Sequence, residues 1–573
     1  MHSTMPDVPL TVAHLLRHGY TVHSTSTVAT WNGDGFDRRS YAEVGERAAR
    51  LAHALRGLGV RPGSRPDSEQ GVVGTFMRNN ARHLELFLAV PAMGAVLHTL
   101  NVRMPAAQLA YTVDHAGDEV VFVDADLTEA LAPVLERSAN AVKHIVVAGR
   151  GGRAALAGFS GEVHDYEELI ADEPTDYPWE DRLDEHTAAS ICYTSGTTGK
   201  PKGVVYSHRS LYLHCLRVVT PDNYSLSTRD VLFPVAPMFH VQGWGVPHAA
   251  LLTGADLVLA DQFTQPSSLA RVIERGRVTF GVAVPTVWSA LLEELDTHDY
   301  DVTSLRRAFV GGFACPPALM AAYRDRHSIE LLHGWGMTET LGMVSAARPP
   351  RGADRSEEWV YRVSQGRFPA SVEFRLVGSD GDLLPHTGMA VGELQLRGLN
   401  VTTAYYGGAA SPPARPAQNF TADGWLRTGD VGKITPDGFL ILTDRIKDVI
   451  KSGGEFISSV ELENTLMAHP AVAEAVVVAV PDDRWGERPM AAVSLRHGVD
   501  IALEDLRDFL AQRIDGWMVP ERWTVVPTVP KTSVGKYDKR GLQDQYADGR
   551  LDVVHIDKSP QGVSQTGGGG ARH

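Results

Sequence analysis

Twelve consecutive residues carry the densest chemistry in the chain: Tyr193-Thr194-Ser195-Gly196-Thr197-Thr198-Gly199-Lys200-Pro201-Lys202-Gly203-Val204. Hydroxyls and glycine N–H groups on one loop can wrap phosphate oxygens, and Lys202 adds a point charge. The string is not a Walker A loop. That motif needs Ser or Thr after its Gly-Lys, whereas Pro201 follows Gly199-Lys200, and Thr194 stands where the first glycine belongs. Alone, a Gly/Thr loop is compatible with an ordinary turn.

Other stretches combine groups of the same kind. Gly334-Trp335-Gly336-Met337-Thr338-Glu339-Thr340 follows an expected strand Ile329–His333, and the carboxyl end of a strand is where open α/β sheets bind ligands. Its glutamate is a hard oxygen donor. Gly311-Gly312 follows another expected strand. Thr428-Gly429-Asp430 offers a carboxylate able to accept from two hydroxyls, or a plain turn aspartate. Asp444-Arg445-Ile446-Lys447-Asp448 reads by charge as a solvated run. Pro237-Met238-Phe239-His240-Val241-Gln242-Gly243-Trp244 sets a histidine and a tryptophan in apolar surroundings, and Lys451-Ser452-Gly453-Gly454-Glu455 precedes an S-x-x-E capping box at Ser458 and Glu461.

The twelve-residue string closely resembles the phosphate-binding loop of the adenylate-forming superfamily, which comprises acyl-CoA synthetases, nonribosomal-peptide adenylation domains and beetle luciferases. The other motifs follow in that family's order, from about Thr11 to Leu542. The resemblance implies that Thr194–Gly199, Lys202, Gly311, Gly312 and Gly334–Glu339 hold ATP. Thr338 would contact phosphate, and Glu339, with Thr194, would hold Mg²⁺. Asp430 and Arg445 would hold the ribose, and Lys447 would be the hinge of a mobile small domain. Lys536, in Pro530-Lys531-Thr532-Ser533-Val534-Gly535-Lys536, would reach the reacting carboxylate and α-phosphate. Preorganised positive charge there is worth several kcal/mol in a dry site.

Within the superfamily, Pro237–Trp244 and the C-terminal PKTSVGKYDKR are most similar to medium- and long-chain fatty acyl-CoA ligases. That implies His240 beside the substrate carboxylate, Trp244 gating the acyl site, Gly336 lining it, and Lys451, Ser452, Gly453 and Gly454 along a CoA channel. Phe313 stands where many relatives have a small residue, so its ring is expected to narrow the acyl pocket. The expected enzyme is an ATP- and Mg²⁺-dependent fatty acid–CoA ligase working through acyl-AMP. An acyl-AMP ligase serving a carrier protein, an aryl or other acid–CoA ligase, luciferase-type oxidation and a binding-only relative are the alternatives.

These residues need a scaffold of strands and helices. Val72–Phe76, Ala95–Leu100, Glu119–Asp124, Val231–Val235, Asp256–Ala260, Val278–Val284 and Arg307–Val310 read as strands. Ala81–Ala92, Ala106–His115 and Pro285–Leu295 read as helices, and such alternation implies a mainly parallel sheet. From Ser371 to Gly398 the pattern turns to antiparallel hairpins. The fold class is therefore α/β: a large N-terminal AMP-binding domain over 1–445, with a barrel-like subdomain at about 367–443, then an α+β domain over 446–550 and a flexible tail over 551–573.

Composition narrows the classes further. With 54 basic and 69 acidic residues among 573, the net charge is −15, which argues against nucleic-acid binding. No apolar stretch reaches membrane-spanning length, although peripheral membrane contact stays open. Cys192, Cys215 and Cys315 lie far apart, against a disulfide framework or cysteine zinc site. The N-terminal segment lacks a signal core, and a cytoplasmic enzyme is expected. Its partners are a small carboxylic acid, ATP and CoA, with a homodimer left open.

Overall fold

The computed structural model describes residues 3–66, 68–139, 142–179, 183–194, 200–407, 413–416, 418–453, 455–532 and 535–556. The chain forms two compact units. The larger comprises Met1–Cys315, Leu319–Leu442 and Ser533–Lys536; the smaller comprises Pro316–Ala318, Thr443–Thr532 and Tyr537–His573.

In the larger unit, one sheet has seven strands in the order Glu162–Asp165, His144–Ala148, Asp118–Asp124, Val72–Phe76, Val96–Thr99, Ala188–Thr194 and Lys202–Ser207. The first six are parallel and the last is antiparallel to its neighbour. Near-continuous apolar strands such as Val120–Val123 are buried on both faces, as a helix-covered parallel sheet requires. Helix Ala81–Ala92 lies where the sequence pattern puts it. Asn80 caps it by accepting from the His83 N–H, which satisfies one orphan donor of the first turn.

A second ladder of fourteen strands among the described residues joins a parallel part to an antiparallel part. The parallel part includes Val231–Pro234, Phe280–Ala283, Arg307–Val310 and Glu330–Met337. The antiparallel part includes Val372–Val377, Gly392–Gly398 and Leu426–Ile434. The change of character at Ser371 thus marks a real antiparallel region, but it is hydrogen-bonded edge to edge with the parallel strands.

The strand expected at Ile329–His333 runs on to Met337 and pairs antiparallel with Gly342–Ala346, so Gly334–Met337 is one arm of a hairpin, not a loop. Missing side chains permit this. A Cβ at Gly334 would overlap the Ser345 carbonyl, and one at Gly336 would overlap the Gly342 carbonyl. The register shifts between Trp335 and Gly336.

The smaller unit packs helices Ser459–Met467 and Leu503–Ala511 on a mixed sheet containing Val472–Asp482, Gly486–Leu495 and Arg522–Val525. Ser458 caps its helix by accepting from the Glu461 N–H, and its own hydroxyl donates to the Thr443 carbonyl. No helix among the described residues is long and apolar enough to cross a membrane.

Candidate active site

The hairpin Ala188–Thr194/Lys202–Ser207 brings Thr194 opposite Lys202. Lys202 Nζ donates to Asn419 Oδ1 at 2.8 Å and lies 4.8 Å over the Tyr405 ring, so its long stem is fixed. Ser195, Gly196, Thr197, Thr198 and Gly199 lie outside the described residues.

Tyr405 links this lysine to the second motif. Its hydroxyl donates to Glu339 Oε1 at 2.8 Å, while the Thr402 N–H donates to the Glu339 carbonyl at 2.8 Å. Burial, reinforced by the Glu339 charge, raises the Tyr405 pKa, so the phenol keeps its proton and remains a donor. The Tyr206 hydroxyl fixes the Thr338 carbonyl at 2.7 Å. Glu339 is buried, yet among the described residues no lysine or arginine forms an ion pair with it. A buried carboxylate facing a neutral phenol rather than a cation is a donor set that fits a hard divalent ion such as Mg²⁺.

The third motif is tied to the same hairpin. Trp335 Nε1 donates to Asp430 Oδ2 at 2.8 Å, and the Asp430 N–H donates to Thr428 Oγ1 at 3.1 Å. Asp430 lies in the strand Leu426–Ile434, where Gly429 takes a left-handed φ of +71°. That glycine lets the strand kink and present a buried carboxylate, a bidentate acceptor for paired hydroxyls.

Beside these groups lies a small cavity of about 30 Å³. Val241, Trp244, Phe309 and Met343 line it, together with Gly311, Gly312 and the Gly334–Met337 arm. Trp244 is aimed there by a left-handed turn: φ is +48° at Val241, +55° at Gln242, +58° at Gly243 and +57° at Trp244. Such a conformation costs a non-glycine residue about 1–2 kcal/mol. Surrounding contacts hold it. The Tyr224 hydroxyl donates to the Trp244 carbonyl at 3.2 Å, and the Val241 N–H lies 3.4 Å from Cys192 Sγ.

The segment leading into this turn is fastened by Asn79. Its amide donates to the Pro234 and Ala236 carbonyls at 2.8 and 3.0 Å, and its Oδ1 accepts from the Met238 N–H at 2.7 Å. His240 follows. Burial first, and the Lys536 charge second, push its pKa down to about 3, so the ring is neutral at pH 7. Gly535 and Lys536 group with the larger unit, where the Thr286 hydroxyl donates to the Gly535 carbonyl at 3.3 Å.

Not every expected residue lines this cavity. Phe313 is not among the residues lining the cavity; the aromatic wall is Phe309, whose strand Arg307–Val310 directs it inward, and Trp244. Arg445, Lys447, Lys451, Ser452 and Gly453 belong to the smaller unit. Lys447 is exposed in the turn between strands Phe439–Arg445 and Ile450–Ser452. Strands Ile450–Ser452 and Glu455–Ile457 pair antiparallel, and Gly454 lies outside the described residues. Gly453, at φ +63°, donates its N–H to the Trp485 carbonyl at 2.8 Å, and Arg488 reaches Ser452 Oγ at 3.0 Å. Asn79, Tyr206, Tyr405, Asn419, Phe309 and Arg488 were not singled out by the sequence. Each acts across a large sequence separation and stands in no motif.

Comparison with known proteins decides the class. Residues 19–406 match the AMP-binding enzyme family, and residues 461–536 match the AMP-binding enzyme C-terminal domain. The chain belongs to the AMP-binding enzyme family. This AMP-binding enzyme is 38% identical over 553 residues to the 3-methylmercaptopropionyl-CoA ligase of Ruegeria lacuscaerulensis, covering 96% of this chain and 99% of that one. It is 39% identical over 549 residues to the long-chain-fatty-acid–CoA ligase of Thermus thermophilus, covering 95% and 97%. Among solved structures, the amide bond synthetase McbA of Marinactinospora thermotolerans superposes with a TM-score of 0.77 at 28% identity, covering 93% and 99%. As a member of this family it is an acyl-adenylate-forming ligase that consumes ATP, and its relatives span thioether and fatty acids rather than one fatty-acyl branch.

Proposed function

We propose that this enzyme is an AMP-forming carboxylic acid–CoA ligase for compact apolar acids: short and medium chains, thioether acids and ring acids. The observation that carries this reading is the cavity beside the Gly334–Met337 arm. Its volume of about 30 Å³ is far below that of a typical small-molecule site, because Trp244 and Phe309 crowd it with two large rings and leave little length for an acyl chain. Part of that space also borders the glycines expected to hold the adenylate. The thioether acid named for the Ruegeria relative is likewise a compact one. The long-chain reading draws on the Thermus relative, and palmitate activation separates the two.

In the first half-reaction the substrate carboxylate oxygen attacks the α-phosphorus of ATP and pyrophosphate leaves. Lys202 and the Thr194–Gly199 loop hold the phosphates. Asp430, oriented by Trp335, accepts from the ribose hydroxyls. Neutral His240 borders the carboxylate, and Lys536 stabilises charge developing between carboxylate and α-phosphate. Glu339 and Thr194 would hold Mg²⁺, which supplies charge neutralisation of the phosphates. In the second half-reaction the small unit turns about Lys447, and the Lys451–Glu455 hairpin guides CoA. The thiolate attacks the acyl carbonyl and AMP leaves. Keeping both steps in one site shields acyl-AMP from water.

The test is product stoichiometry with ATP, CoA and a thioether or medium-chain acid. The reading expects AMP, pyrophosphate and acyl-CoA in equal amounts. Pyrophosphate release with no loss of free thiol would instead point to an acyl-AMP ligase serving another acceptor.

A further inference from the structure

At the far edge of the seven-stranded sheet, His144 begins the strand His144–Ala148, while Glu162 and His164 lie on the edge strand Glu162–Asp165. The parallel register sets His144 opposite Glu162 and Val146 opposite His164. Alternation with period two then places His144, Glu162 and His164 on one face.

Their ligand atoms converge. His144 Nδ1 lies 3.2 Å from His164 Nε2. Glu162 Oε2 is 3.7 Å from His144 Nδ1 and 3.6 Å from His164 Nε2. Ligands at about 2.0–2.1 Å from a tetrahedral Zn²⁺ are separated by about 3.3 Å, so the three distances are within a few tenths of an ångström of three edges of one tetrahedron. Both imidazoles are mostly buried, at 16% and 23% exposed, and are therefore held in place; the carboxylate, at 72%, is the adjustable arm. We infer that His144, Glu162 and His164 form a binding site for a divalent transition ion, Zn²⁺ or its borderline neighbours Ni²⁺ and Cu²⁺, with water completing the coordination.

The donor set supports metal over a bare histidine pair: one carboxylate offsets part of the cation's charge, and imidazole with carboxylate suits these ions better than Mg²⁺ or Ca²⁺. Arg153 opposes the charge, so the site is of moderate affinity. Bound metal would staple the edge strand Glu162–Asp165, which has a single strand neighbour, to the sheet. Three strands separate His144–Ala148 from Ala188–Thr194, about 19 Å at the usual strand spacing, so this ion is distinct from any ion at Glu339.

The test uses the full chain stripped with a chelator, then titrated with Zn²⁺ against a chromophoric competitor, alongside thermal unfolding. One equivalent should bind and raise Tm. The variants His144→Ala, His164→Ala and Glu162→Gln, each checked for folding by far-UV circular dichroism and for unchanged adenylation rate, should bind at least tenfold more weakly and lose the Tm rise. Wild-type binding no tighter than that of a folded His144→Ala/His164→Ala variant overturns the site, as does a Tm rise that persists in it.

Discussion

Lys536 shows how far a single residue can be read from its neighbours. In sequence it is one lysine near the end of the chain, and only the surrounding string and the family order give it a role. In the structure His240, whose pKa burial pushes down to about 3, also feels the charge of Lys536. We expect Lys536→Ala to reduce pyrophosphate release from ATP and acid by at least 100-fold. The same variant should still transfer supplied acyl-AMP to CoA at a rate near wild type; equal loss of both steps would remove the assigned role. Phe309 and Phe313 make the opposite point. They lie on either side of Gly311-Gly312, and nothing in their spacing says which ring faces the cavity. The fold does, because Phe309 ends inward on its strand. Phe309→Ala should therefore raise activity on longer acids relative to short ones, whereas Phe313→Ala should leave the chain-length profile unchanged.

Contiguous elements were legible, and those made by distant partners were not. Helix Ala81–Ala92 and strands Val72–Phe76 and Arg307–Val310 have the bounds their periodicity gives. The Glu330–Met337/Gly342–Ala346 hairpin was hidden because its evidence is an absence: Gly334 and Gly336 have no side chains where two carbonyls approach. The left-handed turn Val241–Trp244 was hidden too, since valine, glutamine and tryptophan all disfavour that conformation locally and tertiary contacts impose it. Asn79 is central to those contacts, with three hydrogen bonds to Pro234, Ala236 and Met238 from 155 to 159 residues away. Asn79→Ala should cost about 2–4 kcal/mol, because it strands buried backbone groups. Because those groups lead into His240 and Trp244, KM for the acid should rise while KM for ATP changes little. Denaturant melts and the two KM values measure this; unchanged values for both would detach Asn79 from the site.

Across the whole molecule, a net charge of −15 repels polyanionic substrates at long range. Binding is local, however, and a lysine fixed as Lys202 is fixed, by Asn419 and the Tyr405 ring, puts positive field beside the proposed phosphate-binding segment whatever the net charge. A second whole-molecule property follows from buried histidines. Burial pushes His83, His248 and His333 down to about 4 and His208 down to about 3. The unfolded chain, with histidines near 6.5, then binds more protons between about pH 6.5 and 4, so stability is complete above 6.5 and falls as pH drops. Each such group contributes about 1.4 kcal/mol per pH unit over that window. Asp124, raised to about 7 by burial, acts in the opposite sense but is outnumbered. Denaturant midpoints should therefore fall steeply from pH 6.5 to 5, and a flat profile would contradict buried neutral imidazoles. The central claim concerns what the enzyme activates, and it is tested most directly by kcat/KM for acyl-CoA formation across a thioether acid of propionate length, benzoate, octanoate and palmitate. The account predicts that at least one of the first three exceeds palmitate by tenfold or more, and palmitate as the best of the four would contradict it.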